Sequence, residues 1–284
     1  MVSHINGYLI DADDVFIENR STPMCNVPSM TTGNRPADGG NLIIEASDYE
    51  EFIKSDPESA RYIKKLVGSE EFINNKKRYC LWLVGVSPSE SRKMPKVMER
   101  VTACRENRLA APDPGRRKLA DSPTLFRETK NPSTYIIVPA TSSERRPYVP
   151  MGCLTDDTVP TNAVTIIPEA SVYHFGILES SVHMAWMRAV CGRLKSDYRY
   201  SKDIVYNNFP WPVNPDDAMN EKISATAQGI LDARALYPDS SLADLYDEVA
   251  MPPPELRKAH RANDATESDI VARLFKIYRE LIIE

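Results

Sequence analysis

Membrane-length apolar runs, a secretory leader, clustered histidines and paired cysteines are all missing from this 284-residue sequence. A membrane helix needs roughly 18 or more uninterrupted apolar residues, and no window comes near it. The opening MVSHINGYLIDADD lacks the charged, apolar and small-residue zones of a signal peptide, so the cytoplasm is the expected location. His4, His174, His183 and His260 lie far apart, which gives no sign of a metal site or a histidine-dependent triad. Cys25, Cys80, Cys104, Cys153 and Cys191 are odd in number and contain no C-x-x-C pair, so they read as reduced thiols mostly in the core, without structural zinc. Nucleotide-binding G-x-G-x-x-G and G-x-x-x-x-G-K-[ST] loops, the H-E-x-x-H metal motif and the G-x-S-x-G elbow are absent. Asp216-Asp217 is the most conspicuous acidic pair, and negative charge at a helix N-terminus explains it. No catalytic residue and no metal ligand emerges.

What is present is an ordinary globular composition, 42% hydrophobic and 26% charged, on a chain longer than the usual single domain. The net charge of −5 is unevenly spread: Asn214 to Glu284 has 8 basic against 14 acidic residues, and the first 213 have 27 against 26. Within those, Cys104 to Tyr148 carries 9 basic against 5 acidic, and Trp186 to Lys202 carries 5 against 1. Positive charge concentrated in segments suits a local binding face.

Hydrophobic spacing predicts helix over ASDYEEFIKSDPESARYIKKLVG, capped at Ser47 and with a break at Asp56-Pro57, and a buried strand at RYCLWLVGV. A helix follows over Met94 to Arg108, then a basic loop. Between Thr134 and Tyr173 the runs TYIIVP, RPYVPMGCL and NAVTIIP predict sheet. ILESSVHMAWMRAVCGR predicts a helix that Gly192 ends. After Pro212 the pattern is helical, with a last helix starting at Thr266-x-x-Asp269. The expected fold is α+β: a mixed α/β domain with a central sheet over residues 1–213, then a small all-helical domain over 214–284.

Two polar clusters stand out. In RLKSDYRYS, an extended backbone would send Arg193, Lys195, Asp197, Arg199 and Ser201 to one face and Leu194, Ser196, Tyr198 and Tyr200 to the other. Lys and Arg donate to guanine O6 and N7, and Asp accepts from cytosine N4, so Lys195-x-Asp197 has the chemistry to read a G·C pair. An acid in a basic segment repels phosphate, which makes sense where it contributes selectivity. A solvated strand without a partner fits the same pattern. In TSSERRPYVP, Ser142 and Ser143 suit phosphates, Arg145 and Arg146 phosphates or guanines, and Glu144 a cytosine; a surface turn with a local Glu-Arg pair fits equally.

GSEEFINNKKRYCLWL, SSERRPYVPMG, WMRAVCGRLKSDYRYSKDIVYNNFPWP and LADLYDEVAMPPPELRKAHRANDA, in this order, resemble the C-terminal part of the MmeI-like type IIL restriction-modification enzymes and related class I adenine-N6 DNA methyltransferases. The resemblance implies a target-recognition domain followed by a helical C-terminal domain. It places base reading of double-stranded DNA on Lys195, Asp197, Arg199, Asn162 and Ala163, with Glu144 as a further candidate. Ser142, Ser143, Arg145, Arg146, Arg193, Tyr198, Tyr200 and Ser201 then fall at the DNA backbone. The NNFPWP segment matches a structural landmark that closes the recognition domain. The family's S-adenosylmethionine loop and NPPY/F motif have no counterpart here, since NPSTY at Asn131 lacks the second proline. The expected role is therefore specificity, with S-adenosylmethionine held by a methyltransferase domain in cis or in trans and no membrane partner. A stand-alone DNA-binding or specificity subunit is the alternative, and an enzyme of unrecognised type a weaker one.

Overall fold

The computed structural model describes residues 17–212, 216–247, 249 and 251–267. The expectations at His4, for a boundary at Val213 and for a helix beyond Asp269 lie outside the described residues. The chain is α+β. At the centre of one four-stranded sheet, Thr134–Pro139 pairs antiparallel with Gly152–Thr155 on one side and Val164–Pro168 on the other, and Thr31–Thr32 extends the far edge. Ile136, Ile137 and Val138 are fully buried. Ile136 and Val138 join the main core, while Tyr135 and Ile137 join a second cluster on the opposite face. Burial on both faces is what a continuous β-branched run favours.

A second sheet has the order Ile43–Glu45, Arg78–Leu81, Ile63–Val67, Thr158–Pro160, antiparallel except for the last pair. The helix Pro95–Leu109 covers it through Val97, Val101 and Cys104. The helix expected from Ser47 does not resume after the Asp56-Pro57 break. A helix runs only over Tyr49–Ser55, with Asp48 as its N-cap, and a 3-10 turn follows at Pro57–Tyr62. Ile63–Val67 is a strand with partners on both sides, and the ladder bonds available at a central position outweigh helical spacing. Arg108 is fully buried and donates to five backbone carbonyls, those of Pro36, Ala37, Leu119, Ser122 and Leu125, at 2.6–3.1 Å. One guanidinium thereby ties the basic segment after Pro95–Leu109 to the loop ahead of Ile43–Glu45.

The single helix expected from Ile177 to Gly192 is two, Val172–Leu178 and Ser181–Val190. Ser180 breaks it by capping the second, its hydroxyl accepting from the His183 N–H at 3.1 Å and donating to the Ile177 carbonyl at 2.7 Å. The second helix ends at Val190, and Gly192 already belongs to a strand. The C-terminal helices are Asp217–Ala235, capped by Asp216, the short Leu242–Leu245, and 254–267. The last runs through Thr266, whose hydroxyl donates to the Ala262 carbonyl at 3.1 Å, so Thr266 starts no helix. Gly176 lets Val172–Leu178 and Asp217–Ala235 approach closely, because a Cβ there would meet Ala227 at 2.8 Å and Ile223 at 2.9 Å.

The two regions share one core, with Phe175 and Ile177 in the same cluster as Ile223, Ala227 and Ile230. They also share a buried polar link. Arg234 pairs with Glu179 at 3.0 Å, and Glu179 accepts from the Met151 N–H at 2.7 Å. Arg234 further donates to the Met151 carbonyl and to the Tyr246 hydroxyl, which bonds His260 at 2.7 Å. Tyr148 stacks on His260 at 4.0 Å and donates to Asp264 at 2.6 Å.

Candidate nucleic-acid interface

The rigid central strand Thr134–Pro139 leads through Ala140 into the two-residue strand Thr141–Ser142. That strand edges a third sheet, whose other members are the hairpin strands Gly192–Leu194 and Asp197–Arg199. Ala140 is the junction: its N–H donates to the Ala163 carbonyl at 3.3 Å and its carbonyl accepts from the Tyr200 N–H at 3.0 Å. The segments 141–146, 162–163 and 193–199, far apart in sequence, are thus brought together around one residue.

The expected extended ribbon is a hairpin, and this changes its faces. Residues paired across antiparallel strands point the same way. The register Gly192↔Arg199↔Thr141 and Leu194↔Asp197 puts Asp197, Arg199 and Thr141 on one face. Arg193↔Tyr198↔Ser142 occupies the other. Arg193 therefore does not share a face with Asp197 and Arg199, because the turn at Lys195-Ser196 reverses the strand direction. Lys195 carries a φ of 58°. A left-handed conformation costs a side-chain-bearing residue roughly 1–2 kcal/mol, so the exposed turn holds strain at Lys195.

On the front of the sheet Arg199 is exposed and Asp197 half-buried, and Lys195 is exposed in the turn. On the back, Arg193 is closely engaged. Its Nη1 donates to the Ser196 carbonyl at 2.9 Å and lies 3.3 Å from the Glu144 carboxylate, and its Cζ stands 4.1 Å over the Tyr198 ring. Tyr198 is 7% exposed and Tyr200 4%, so both rings face the interior rather than a DNA backbone. Ser142 is buried as well, whereas Ser143 and Arg146 are half-buried and Glu144 and Arg145 exposed. Ser201 is half-buried, and its carbonyl accepts from the Val205 N–H at 2.8 Å.

Tyr200 anchors the hairpin base to His183. The His183 Nδ1 lies 2.9 Å from the Leu178 carbonyl, which only accepts, so Nδ1 carries the hydrogen. Nε2 is then the acceptor for the Tyr200 hydroxyl at 3.0 Å. Burial pushes this imidazole down to about 4, with the Leu178 bond acting the other way, which keeps it neutral.

Asn162 and Ala163 form an exposed turn that three segments fix. The Asn162 N–H donates to the Asn34 carbonyl at 2.9 Å, the neighbouring Thr161 N–H to Val67 at 2.9 Å, and the Ser69 hydroxyl to Ala163 at 2.6 Å, in addition to the Ala140 bond. Gly33 makes this possible, since a Cβ there would lie 2.2 Å from the Thr161 carbonyl oxygen. The NNFPWP segment lies behind the site. Phe209 and Trp211 are buried beside Tyr206, and Asn207 and Asn208 donate to the Arg20 and Glu18 carbonyls at 2.6 and 2.9 Å.

Sequence reasoning missed Thr141, which joins the front face, as well as Ser196, His183 and Gly33. LKSD contains no Asn-Gly or Asp-Gly step, so the hairpin turn has no usual signal.

The mixed-charge sheet edge thus stands on the central strand Thr134–Pro139 and beside the helical region. The chain belongs to the MmeI family: residues 11–213 match the MmeI target recognition domain, and residues 215–276 match the MmeI C-terminal domain. It is 38% identical over 294 aligned residues to DNA methyltransferase A of Bacillus subtilis (strain 168), an alignment covering 99% of this chain and 33% of that protein. It also superposes on the type IIL restriction-modification enzyme MmeI, solved in complex with DNA, with a TM-score of 0.88 and 39% identity over 100% of this chain and 39% of that one. The chain spans about a third of the length of the curated relative it matches.

Proposed function

We propose that this chain recognises a short double-stranded DNA sequence and positions it for an S-adenosylmethionine-dependent adenine-N6 methyltransferase domain, supplied in cis or in trans, in the cytoplasm. One observation carries the reading: Ala140 bonds both the Asn162-Ala163 turn and the base of the Lys195-Asp197-Arg199 hairpin, and leads into the segment that carries Glu144. Lys195, Asp197 and Arg199 supply both donors and an acceptor for base edges in the major groove, and the Asn162-Ala163 turn and Glu144 add further base contacts. Ser143, Arg145, Arg146 and Ser201 are the candidates for phosphate. With their side chains buried, Ser142, Tyr198 and Tyr200 support the sheet from behind.

One candidate cradle for the cofactor is closed. The strand-to-helix turn at Gly68 is filled, since a Cβ there would meet Glu71 and Thr161 at 2.8 Å, and its N–H already donates to Glu71 at 2.8 Å. Adenine methylation requires the base to leave the stack, and the proposed part of this chain is to hold the flanking duplex in register.

Selection from a randomised duplex pool tests the reading. Enrichment of one short sequence, bound at least about 1000-fold tighter than scrambled duplex at physiological salt, is the expected result. Equal binding of selected and scrambled duplexes across a salt series by the folded chain rejects it.

A further inference from the structure

We infer that Arg193 is a positioning residue that couples two parts of the base-reading edge, rather than a phosphate ligand. The inference rests on the base-reading proposal above and concerns how that edge is held. Its guanidinium makes three contacts at once: the Ser196 carbonyl in the hairpin turn at 2.9 Å, the Glu144 carboxylate at 3.3 Å and the Tyr198 ring at 4.1 Å. Tyr198 is buried and pairs with Ser142, so the ring is a fixed platform. Arg193 rises from it on the face away from Asp197 and Arg199. From there it spans the turn that carries Lys195 in its left-handed conformation and the loop that carries Glu144.

The pair is surface-accessible, with side chains 42% and 43% exposed. Its contribution to folding is accordingly small, and its consequence is geometric. A planar guanidinium serves a carbonyl, a carboxylate and a ring face together, which a lysine ammonium cannot reproduce. Lys195 and Glu144 then keep a fixed separation along the edge. Base contacts are sensitive to displacements of well under an ångström, because hydrogen bonds weaken steeply with distance and angle. Discrimination at the base pair read by Glu144 and at the one read by the hairpin is therefore linked through Arg193.

The test uses the full chain, the duplex enriched from a randomised pool and its single-base-pair variants. Arg193→Lys keeps the charge but not the three contacts. The expected outcome is a loss of about tenfold in discrimination at two separate base pairs, with an unchanged slope of log affinity against log salt. Glu144→Gln, which leaves the hairpin sequence intact, should also lower discrimination at the hairpin's base pair. The opposite pattern overturns the inference: Arg193→Lys with wild-type discrimination, and Arg193→Gln with a salt slope reduced by about 0.9, the signature of one lost phosphate contact. The Lys195→Glu, Asp197→Arg double variant separates the two claims. If it alters preference at one base pair while the Arg193 variants discriminate like wild type, the coupling is wrong and the base reading stands. If it alters nothing, the base reading is wrong and the coupling falls with it.

Discussion

Replacing Arg234 with methionine should destabilise the chain more than any surface change near the recognition edge. Arg234 is 10% exposed and its partner Glu179 fully buried. Removal leaves that carboxylate inside the protein with the Met151 N–H as its remaining partner, and strips the Met151 carbonyl and the Tyr246 hydroxyl of a donor. Breaking a buried pair from one side costs about 3–5 kcal/mol, a large part of the 5–15 kcal/mol typical of a folded protein. Burial already pushes the Glu179 carboxyl up, with Arg234 and the Met151 N–H pulling it down. Without Arg234 the folded-state pKa rises further above the unfolded value. A group of that kind stabilises below its unfolded pKa, and the contribution is lost as pH rises through the folded one. The deficit of Arg234→Met relative to wild type should therefore be smaller at pH 5 than at pH 7.5. Urea unfolding followed by circular dichroism measures it, with an unchanged m-value showing that the same surface is exposed. Adding Glu179→Gln keeps an acceptor for Met151 and removes the stranded charge, so the double variant should recover more than half of the loss. A single-variant cost below about 1 kcal/mol, or no recovery in the double variant, would refute the reasoning.

Arg108→Lys and Arg108→Met should each cost about 3 kcal/mol or more, since one ammonium cannot serve five carbonyls and a thioether serves none; thermal melts showing a loss under about 1 kcal/mol would contradict this. Acid should also weaken the fold through His183. The His183 imidazole, held at about 4 by burial against 6.5 when free, contributes fully above pH 6.5 and loses its contribution as pH falls towards 4. That is roughly 2 kcal/mol at pH 5. Urea midpoints at pH 7.5 and 5 check it, and a His183→Gln variant with the same pH dependence as wild type would exclude His183 as the source.

Where side-chain pattern and local backbone agreed, the fold was readable in the sequence. Thr134–Pro139, Val164–Pro168 and Pro95–Leu109 follow their β-branched or helical spacing closely. Ile63–Val67 does not, because its two strand partners come from residues 78–81 and 158–160, which local spacing cannot register. The candidate site was legible as composition and not as geometry. Its charged residues are conspicuous in the sequence, but a two-residue turn without glycine turns Arg193 to the back of the sheet and sends the rings of Tyr198 and Tyr200 inward. The joining of the segments that carry Glu144, Asn162 and Lys195 depends on bonds to Ala140, a residue with no distinguishing side chain.

The most direct test of the base-reading claim exchanges the charges of the hairpin pair. The Lys195→Glu, Asp197→Arg variant, folded like wild type, should bind a duplex altered at one base pair in preference to the wild-type duplex, with the remaining positions of the site unchanged. An identical site preference in the two proteins would contradict the claim.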